Sequence, residues 1–220
     1  MKRICFFAFV LIVCVGSLRA QTSPTYWSDI QAFKKADSTR MPDHNSILLI
    51  GSSSFTKWKD VNEYFPGYPI LNRAFGGSTL VDVIRYAYDV IMPYRPKQVL
   101  IYCGENDLAS KDSISATEVL TRVKTLFGII RTNFPNAAIG YVSIKPSPVR
   151  ASIQVKVKQA NKAIKAFFKL QKNAAFIDIY DAMLDAKLQM REELYVGDRL
   201  HMKPAGYEIW KKIMQPYLVK

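Results

Sequence analysis

Five short apolar runs constrain this chain more than any other feature: residues 47–50, 69–72, 98–103, 138–142 and 175–179, each followed by a turn or loop signal. The clearest is Ile47-Leu-Leu-Ile50, an unbroken apolar tetrapeptide between Ser46 and Gly51. Runs this brief and continuous suit strands buried on both faces. Between them the apolar residues recur at helical spacing, over residues 79–91, 116–133, 152–170 and 204–217, with a further helix over 26–35 before the first strand. Ser115 and Thr117, followed by Glu118, offer N-cap chemistry for the second of these helices. Pro204 suits a first helical turn, where its missing N–H would have no intrahelical partner. Strands alternating with helices predict an α/β fold in three layers, a five-stranded parallel sheet with helices on both faces. The ligand crevice of such a sheet lies beyond the carboxyl ends of its strands, so the residues just after each strand are the candidates for chemistry.

Residues 1–20, MKRICFFAFVLIVCVGSLRA, place Lys2 and Arg3 before an apolar run and close on Gly16, Ser17 and Ala20. This is the layout of a secretory signal peptide cleaved near Ala20. Its apolar stretch, residues 4–15, falls short of the roughly 20 residues a membrane-spanning helix needs. The expectation is an exported chain, periplasmic or secreted, with no stable membrane span and one domain over residues 21–220, which no Pro/Gly/Ser-rich linker divides. Cys5 and Cys14 leave with the leader, and Val13 stands where a lipid-modified Cys14 would require a small residue. Cys103 then has no partner, so the core and not a disulfide must hold the fold.

The formal charge is +13, and removing Lys2, Arg3 and Arg19 leaves +10. The lysines lie scattered along amphipathic segments such as residues 155–172, without a basic stripe or interleaved stacking aromatics, so no nucleic-acid partner is expected. Anionic glycans or an envelope surface are compatible with the charge.

Four segments carry candidate chemistry. After the first strand, Gly51-Ser-Ser-Ser-Phe55 forms a turn into a helix expected near residues 56–60. A serine there would be exposed beside helix N–H groups able to stabilise a developing oxyanion, although turn serines are ordinarily caps. The phosphate-binding alternative needs a Lys closing a longer glycine-rich loop, which is missing. After the second strand, Asn72-Arg-Ala-Phe-Gly-Gly77 allows close approach of the backbone to a ligand, or simply a turn into a helix. After the third, Gly104-Glu-Asn-Asp107 offers the Asn106 amide, in a composition common to turns. Near the C-terminus, Asp198 stands three residues before His201, a spacing that lets a carboxylate hold one ring nitrogen while the other faces outward as a base. The one other histidine, His44, precedes the first strand, at the end of the sheet away from the crevice.

In this order and at these places, GSSS, NRAFGG, GEND and DRLH resemble the Ser, Gly, Asn and His blocks of the SGNH (GDSL-like) hydrolases, from about residue 47 to the C-terminus. The resemblance implies the flavodoxin-like sheet order 2-1-3-4-5. It is favoured over an α/β-hydrolase fold because the Gly-x-Ser-x-Gly elbow is absent: Ser53 is followed by Ser54 and Phe55. Carried over, it makes Ser53 the nucleophile, His201 its base and Asp198 the residue that orients the base. The oxyanion would be held by the N–H groups of Ser53 and Gly77 and by the amide of Asn106. Ser52 replaces the Asp of the GDSL motif, which removes one carboxylate from the site.

The resemblance further implies a serine esterase without cofactor. The chain offers no His/Cys/carboxylate cluster at metal-ligand spacing. Family members with this combination of blocks resemble small-acyl esterases of carbohydrates, which implies an O-acetylated glycan or small-molecule ester as substrate. Trp58, Arg73 and Glu105, with Phe75 and Met202, are candidates to line the leaving-group pocket. A lysophospholipase or thioesterase of the same family would need a continuous apolar groove, and the connections here are short, without a lid-like insertion. A non-hydrolytic glycan-binding protein would show damage to the blocks, which are intact. An acetyl-transfer protein would use the same residues.

Overall fold

A computed structural model describes residues 24–220; the expected leader, with Cys5 and Cys14, lies outside the described residues. The chain runs α1 (Trp27–Thr39), β1 (Ile47–Gly51), α2 (Ser53–Thr56), α3 (Val61–Tyr64), β2 (Ile70–Asn72), α4 (Leu80–Arg85), α5 (Ala87–Val90), β3 (Gln98–Tyr102) and α6 (Glu105–Ser110). It continues with α7 (Ala116–Asn133), β4 (Ala138–Val142), α8 (Gln154–Lys169), β5 (Ala174–Ile177) and α9 (Pro204–Met214). All pairings are parallel, in the order β2-β1-β3-β4-β5. This is the expected three-layer sheet. The order reverses between β1 and β3, and the crevice of such a sheet opens at that switch point.

Because side chains alternate across a strand, the apolar runs feed two cores. Leu48, Ile50, Val99, Ile101, Ile139 and Tyr141 pack on one face, against α4, α5, α7 and α8 residues such as Val83, Val90, Leu126 and Ile164. Ile47, Leu49, Leu100, Tyr102, Val142 and Ile177 pack on the other, against Phe55, Trp58, Trp210 and Met214. Every residue of β1 and β3 is buried, which explains why their sequences carry no polar alternation.

The helices depart from the expected bounds at identifiable places. The segment 79–91 is two helices, broken at Tyr86 (φ −98°, ψ 12°). The Tyr86 ring packs edge-on to Phe75, and its hydroxyl donates to Thr25 O at 2.7 Å, so tertiary contacts override the local period. α8 starts at Gln154, preceded by a 3₁₀ stretch at Pro148–Ile153. α9 gives way to a 3₁₀ turn at Gln215–Tyr217, where Pro216 cannot donate to the α-helical ladder. The Glu-Asn-Asp segment is not a plain turn: it opens α6, after Gly104 at φ 116°. Among the described residues no helix is long and apolar enough to cross a membrane.

Candidate active site

The end of β1 leaves room for glycine alone. Gly51 has φ 123°, and a Cβ there would stand 2.0 Å from the carbonyl oxygen of Tyr102 on β3. This close approach lets Ser52 N–H donate to that carbonyl at 2.9 Å, and Ser53 then begins α2. As the first helical residue, Ser53 has an N–H without an intrahelical acceptor. The turn is braced from below. Tyr207 of α9 donates its hydroxyl to Ser54 O at 2.9 Å, and Asn72 Nδ2 donates to Phe55 O at 2.7 Å.

The Ser53 hydroxyl meets a histidine from the far end of the chain, with Ser53 Oγ 2.9 Å from His201 Nε2 and His201 Nδ1 2.5 Å from Asp198 Oδ2. The partners fix the tautomer. An ionised carboxylate only accepts, so Nδ1 carries the proton and Nε2 is the acceptor for the serine O–H. Asp198 is fully engaged, since its Oδ1 accepts from the N–H groups of Leu200 (2.9 Å) and His201 (2.8 Å). Burial pushes its carboxyl up, but the bonds from His201 and Leu200 outweigh that and hold it well below the usual carboxylate range. The loop is pinned by the Tyr195–Met202 bridge and by Val196 N–H on His201 O at 2.8 Å. A hydroxyl bonded to an imidazole that is itself held by a carboxylate can lose its proton as it attacks an electrophile.

The glycine-rich turn after β2 lies against the serine turn. Phe75 N–H and the Ser78 hydroxyl both donate to Gly51 O at 3.0 Å. A Cβ on Gly76 would lie 3.9 Å from Ser53 Cβ, while Gly77 has φ 84° and faces the Tyr26 hydroxyl. Asn106, in the first turn of α6, donates from Nδ2 to Ser52 Oγ at 2.7 Å and to Ser78 O at 3.1 Å. The Ser-for-Asp replacement at position 52 therefore puts a hydroxyl acceptor where it holds the Asn106 amide. Asp107, the last residue of this block, is structural. It accepts from Leu80 N–H at the start of α4 (2.9 Å) and from Arg122 of α7 (2.8 Å).

Five expectations for the pocket wall are corrected. Trp58 is completely buried, stacked on Tyr207 at 4.7 Å and near Trp210, so it supports the floor and cannot touch a substrate. Arg73 turns away from the crevice toward α1: it pairs with Asp37, donates to the Tyr94 hydroxyl at 2.8 Å and stacks on Phe33 and Tyr94. Glu105 is buried beneath Asn106, accepting from Lys145 Nζ (2.6 Å), the Tyr102 hydroxyl (2.8 Å) and the Ser147 hydroxyl. Phe75 and Met202 are likewise core residues. His44 bonds Tyr94 O at 3.3 Å, apart from Ser53. The sequence reading missed Arg150, which donates from Nη2 to Asn106 Oδ1 at 2.7 Å. Among the described residues no three His, Cys, Asp or Glu side chains gather as a metal-holding group.

A hollow of about 260 Å³, with walls shared between Pro148, Ala151 and Met190 and the polar Gln189, Glu192 and Arg199, lies beside the histidine loop, and neither Ser53 nor His201 lines it.

Residues 50–209 match the GDSL-like lipase/acylhydrolase family. No curated protein matches the chain in sequence. Among solved structures, a Streptococcus pneumonia protein named for platelet activating factor superposes with a TM-score of 0.76 at 21% identity, covering 87% of this chain and 92% of that one. A GDSL-like lipase from Bacteroides thetaiotaomicron VPI-5482 gives 0.73 at 16% identity, over 85% and 95%. An acetylxylan esterase from Geobacillus stearothermophilus, in a catalytic mutant, gives 0.64 at 14% identity, over 80% and 94%. At these identities the likeness is one of fold. The family match, by contrast, spans the segment holding Ser53, Gly77, Asn106, Asp198 and His201, and by it the chain belongs to the GDSL-like lipase/acylhydrolase family of ester-cleaving hydrolases.

Proposed function

We propose that the chain is an exported serine esterase that removes small acyl groups, acetyl above all, from carbohydrates, using Ser53, His201 and Asp198. The observation that carries this reading is the continuous chain of contacts from Ser53 Oγ through the His201 ring to Asp198, at 2.9 and 2.5 Å. His201 Nε2 takes the Ser53 proton as Oγ bonds to the ester carbonyl carbon. The resulting oxyanion is held by the Ser53 and Gly77 N–H groups and the Asn106 amide, a charged acceptor with which the Ser52 hydroxyl competes poorly. Collapse breaks the bond to the alcohol oxygen, which leaves with the proton from His201. Water, deprotonated by the same ring, then frees the acid from Ser53.

The small-acyl preference is supported by the large side chains near the serine turn being committed to the core. The acetylxylan esterase of the same fold acts on an acetylated glycan, and the positive charge of the chain suits acidic polymers. The leader over residues 1–20, followed by one hydrolase domain over residues 21–220, supports action outside the cytoplasm.

The test compares p-nitrophenyl acetate with p-nitrophenyl octanoate, and follows acetate release from acetylated xylan, for the wild type and Ser53→Ala. Faster cleavage of the acetyl ester, lost in Ser53→Ala, is expected. Preference for octanoate would overturn the substrate, and activity retained in Ser53→Ala would overturn the mechanism.

A further inference from the structure

We propose that Arg150 is a positioning residue for the reaction, acting through Asn106 to orient and polarise the oxyanion donor; this rests on the reading of the site just given. Arg150 lies in the 3₁₀ stretch after β4, with φ −114° and ψ 31° inside that stretch. Its neighbour Val149 donates its N–H to Arg199 O at 3.2 Å, joining this segment to the loop that carries Asp198 and His201. Nη2 donates to Asn106 Oδ1 at 2.7 Å, and Nη1 is buried without a hydrogen-bond partner among the described residues.

The carboxylate paired with this guanidinium does not hydrogen-bond to it. Glu105 Oε1 stands 3.9 Å from Nη1, beyond hydrogen-bonding distance, and the same carboxylate is already bonded by Lys145, Tyr102 and Ser147. Glu105 is shared between Lys145 at 2.6 Å and Arg150 at 3.9 Å, so the close, hydrogen-bonded contact of the Arg150 side chain is the neutral amide oxygen of Asn106. That contact has two consequences. Arginine has donors only, so the oxygen of Asn106 must face it and the Nδ2 protons must face Ser52 Oγ and Ser78 O; both ends of the carboxamide are specified. A cation on the amide oxygen also draws electron density from the nitrogen, making its N–H a stronger donor as charge develops on the substrate. Glu105 and Lys145 act one step further out, fixing where the guanidinium sits.

The experiment is a double-mutant cycle with p-nitrophenyl acetate, using wild type, Arg150→Met, Asn106→Ala and the pair, with Ser53→Ala alongside. Arg150→Met is expected to lower kcat by about tenfold or more while KM stays within about threefold, and to have no effect beyond about twofold when Asn106 is already Ala. Arg150→Lys, which restores the cation on a shorter stem, is expected to recover part of the loss. Inhibition by phenylboronic acid, whose adduct with the serine carries an anionic oxygen, should weaken in Arg150→Met by the same factor as kcat/KM. A general loss of structure would not produce this match. Should Arg150→Met fail to fold, Arg150→Lys and Arg150→Gln carry the cycle.

Arg150→Met or Arg150→Gln with kcat within about twofold of wild type, or the same fold-loss in both Asn106 backgrounds, would overturn the proposal. If Ser53→Ala remained active, the reading of the site would fall, and the role of Arg150 with it. A dead Ser53→Ala with an additive cycle would remove the Arg150 proposal alone.

Discussion

The hydroxyl of Tyr207 donates to the carbonyl of Ser54 at 2.9 Å, joining the terminal helix to the serine turn across 153 residues of chain. His201 reaches Ser53 from the loop just before that helix, so this bond helps set the distance between hydroxyl and imidazole. Tyr207→Phe leaves the ring on Trp58 and leaves the buried carbonyl without this donor, a cost of about 1 to 3 kcal/mol. Urea unfolding should show that loss, together with a several-fold fall in kcat.

Asp198→Asn should be far more damaging to turnover than to folding. The carboxylate fixes the His201 tautomer, and its depressed pKa keeps it ionised through acidic working conditions. An amide in its place can present N–H to Nδ1 and put the ring proton on Nε2, where it cannot accept from Ser53. A fall of about three to four orders of magnitude in kcat is expected with little change in melting temperature, measured by steady-state kinetics and circular dichroism.

The Glu105–Lys145 pair gives a pH-dependent prediction. Burial raises the Glu105 carboxyl, but Lys145 and Arg150, with the bonds from Lys145 and Ser147, pull it below its ordinary value of 4.5. A carboxylate depressed in the folded state contributes stability that is present above its unfolded pKa and lost as pH falls through its folded pKa. Glu105→Gln should therefore destabilise the protein at pH 7 by about 3 to 5 kcal/mol, because it leaves the Lys145 cation buried without its counter-charge. The gap from wild type should narrow below about pH 4.5, in urea titrations run from pH 7 to pH 3. A gap that stays constant would contradict the assignment.

Two glycines with positive φ should behave very differently. Gly51→Ala drives a methyl group to 2.0 Å from a backbone oxygen of β3, and the strand pair must separate. Gly67→Ala has nothing within 4 Å of the new atom and adds only the left-handed strain, about 1 to 2 kcal/mol. Expression as soluble protein and thermal melts of both variants distinguish the two costs: Gly51→Ala should fail to fold, and Gly67→Ala should melt a few degrees early.

The sheet was legible because its central strands β1 and β3 are buried on both faces and so appear as apolar runs without polar alternation. The contacts of Ser53, His201 and Asp198 were anticipated through the family resemblance of the GSSS and DRLH blocks, since the serine turn by itself reads equally as a helix cap. Trp58 and Arg73 were misread because nearness to a motif does not set side-chain direction: one packs under α9 and the other is drawn to Asp37. Arg150 left no local signal, and neither did the pairing of Glu105 with Lys145 and Tyr102. Their residues come from β3, α6 and the segment after β4, and a Lys or Glu in sequence reads as surface until the fold buries it. The helix at Glu105–Ser110 was hidden by a turn-like composition, which Gly104 allows to pass directly into helix.

The central claim is that Ser53 is the nucleophile and His201 its base. It is tested most directly by reacting the folded protein with a fluorophosphonate and locating the adduct by peptide mass spectrometry. The expected result is one adduct, on the Ser53 peptide, absent in Ser53→Ala and formed at least 100-fold more slowly in His201→Ala, on the order of what a general base contributes. Labelling of another residue at full rate, or an unchanged rate in His201→Ala, would contradict it.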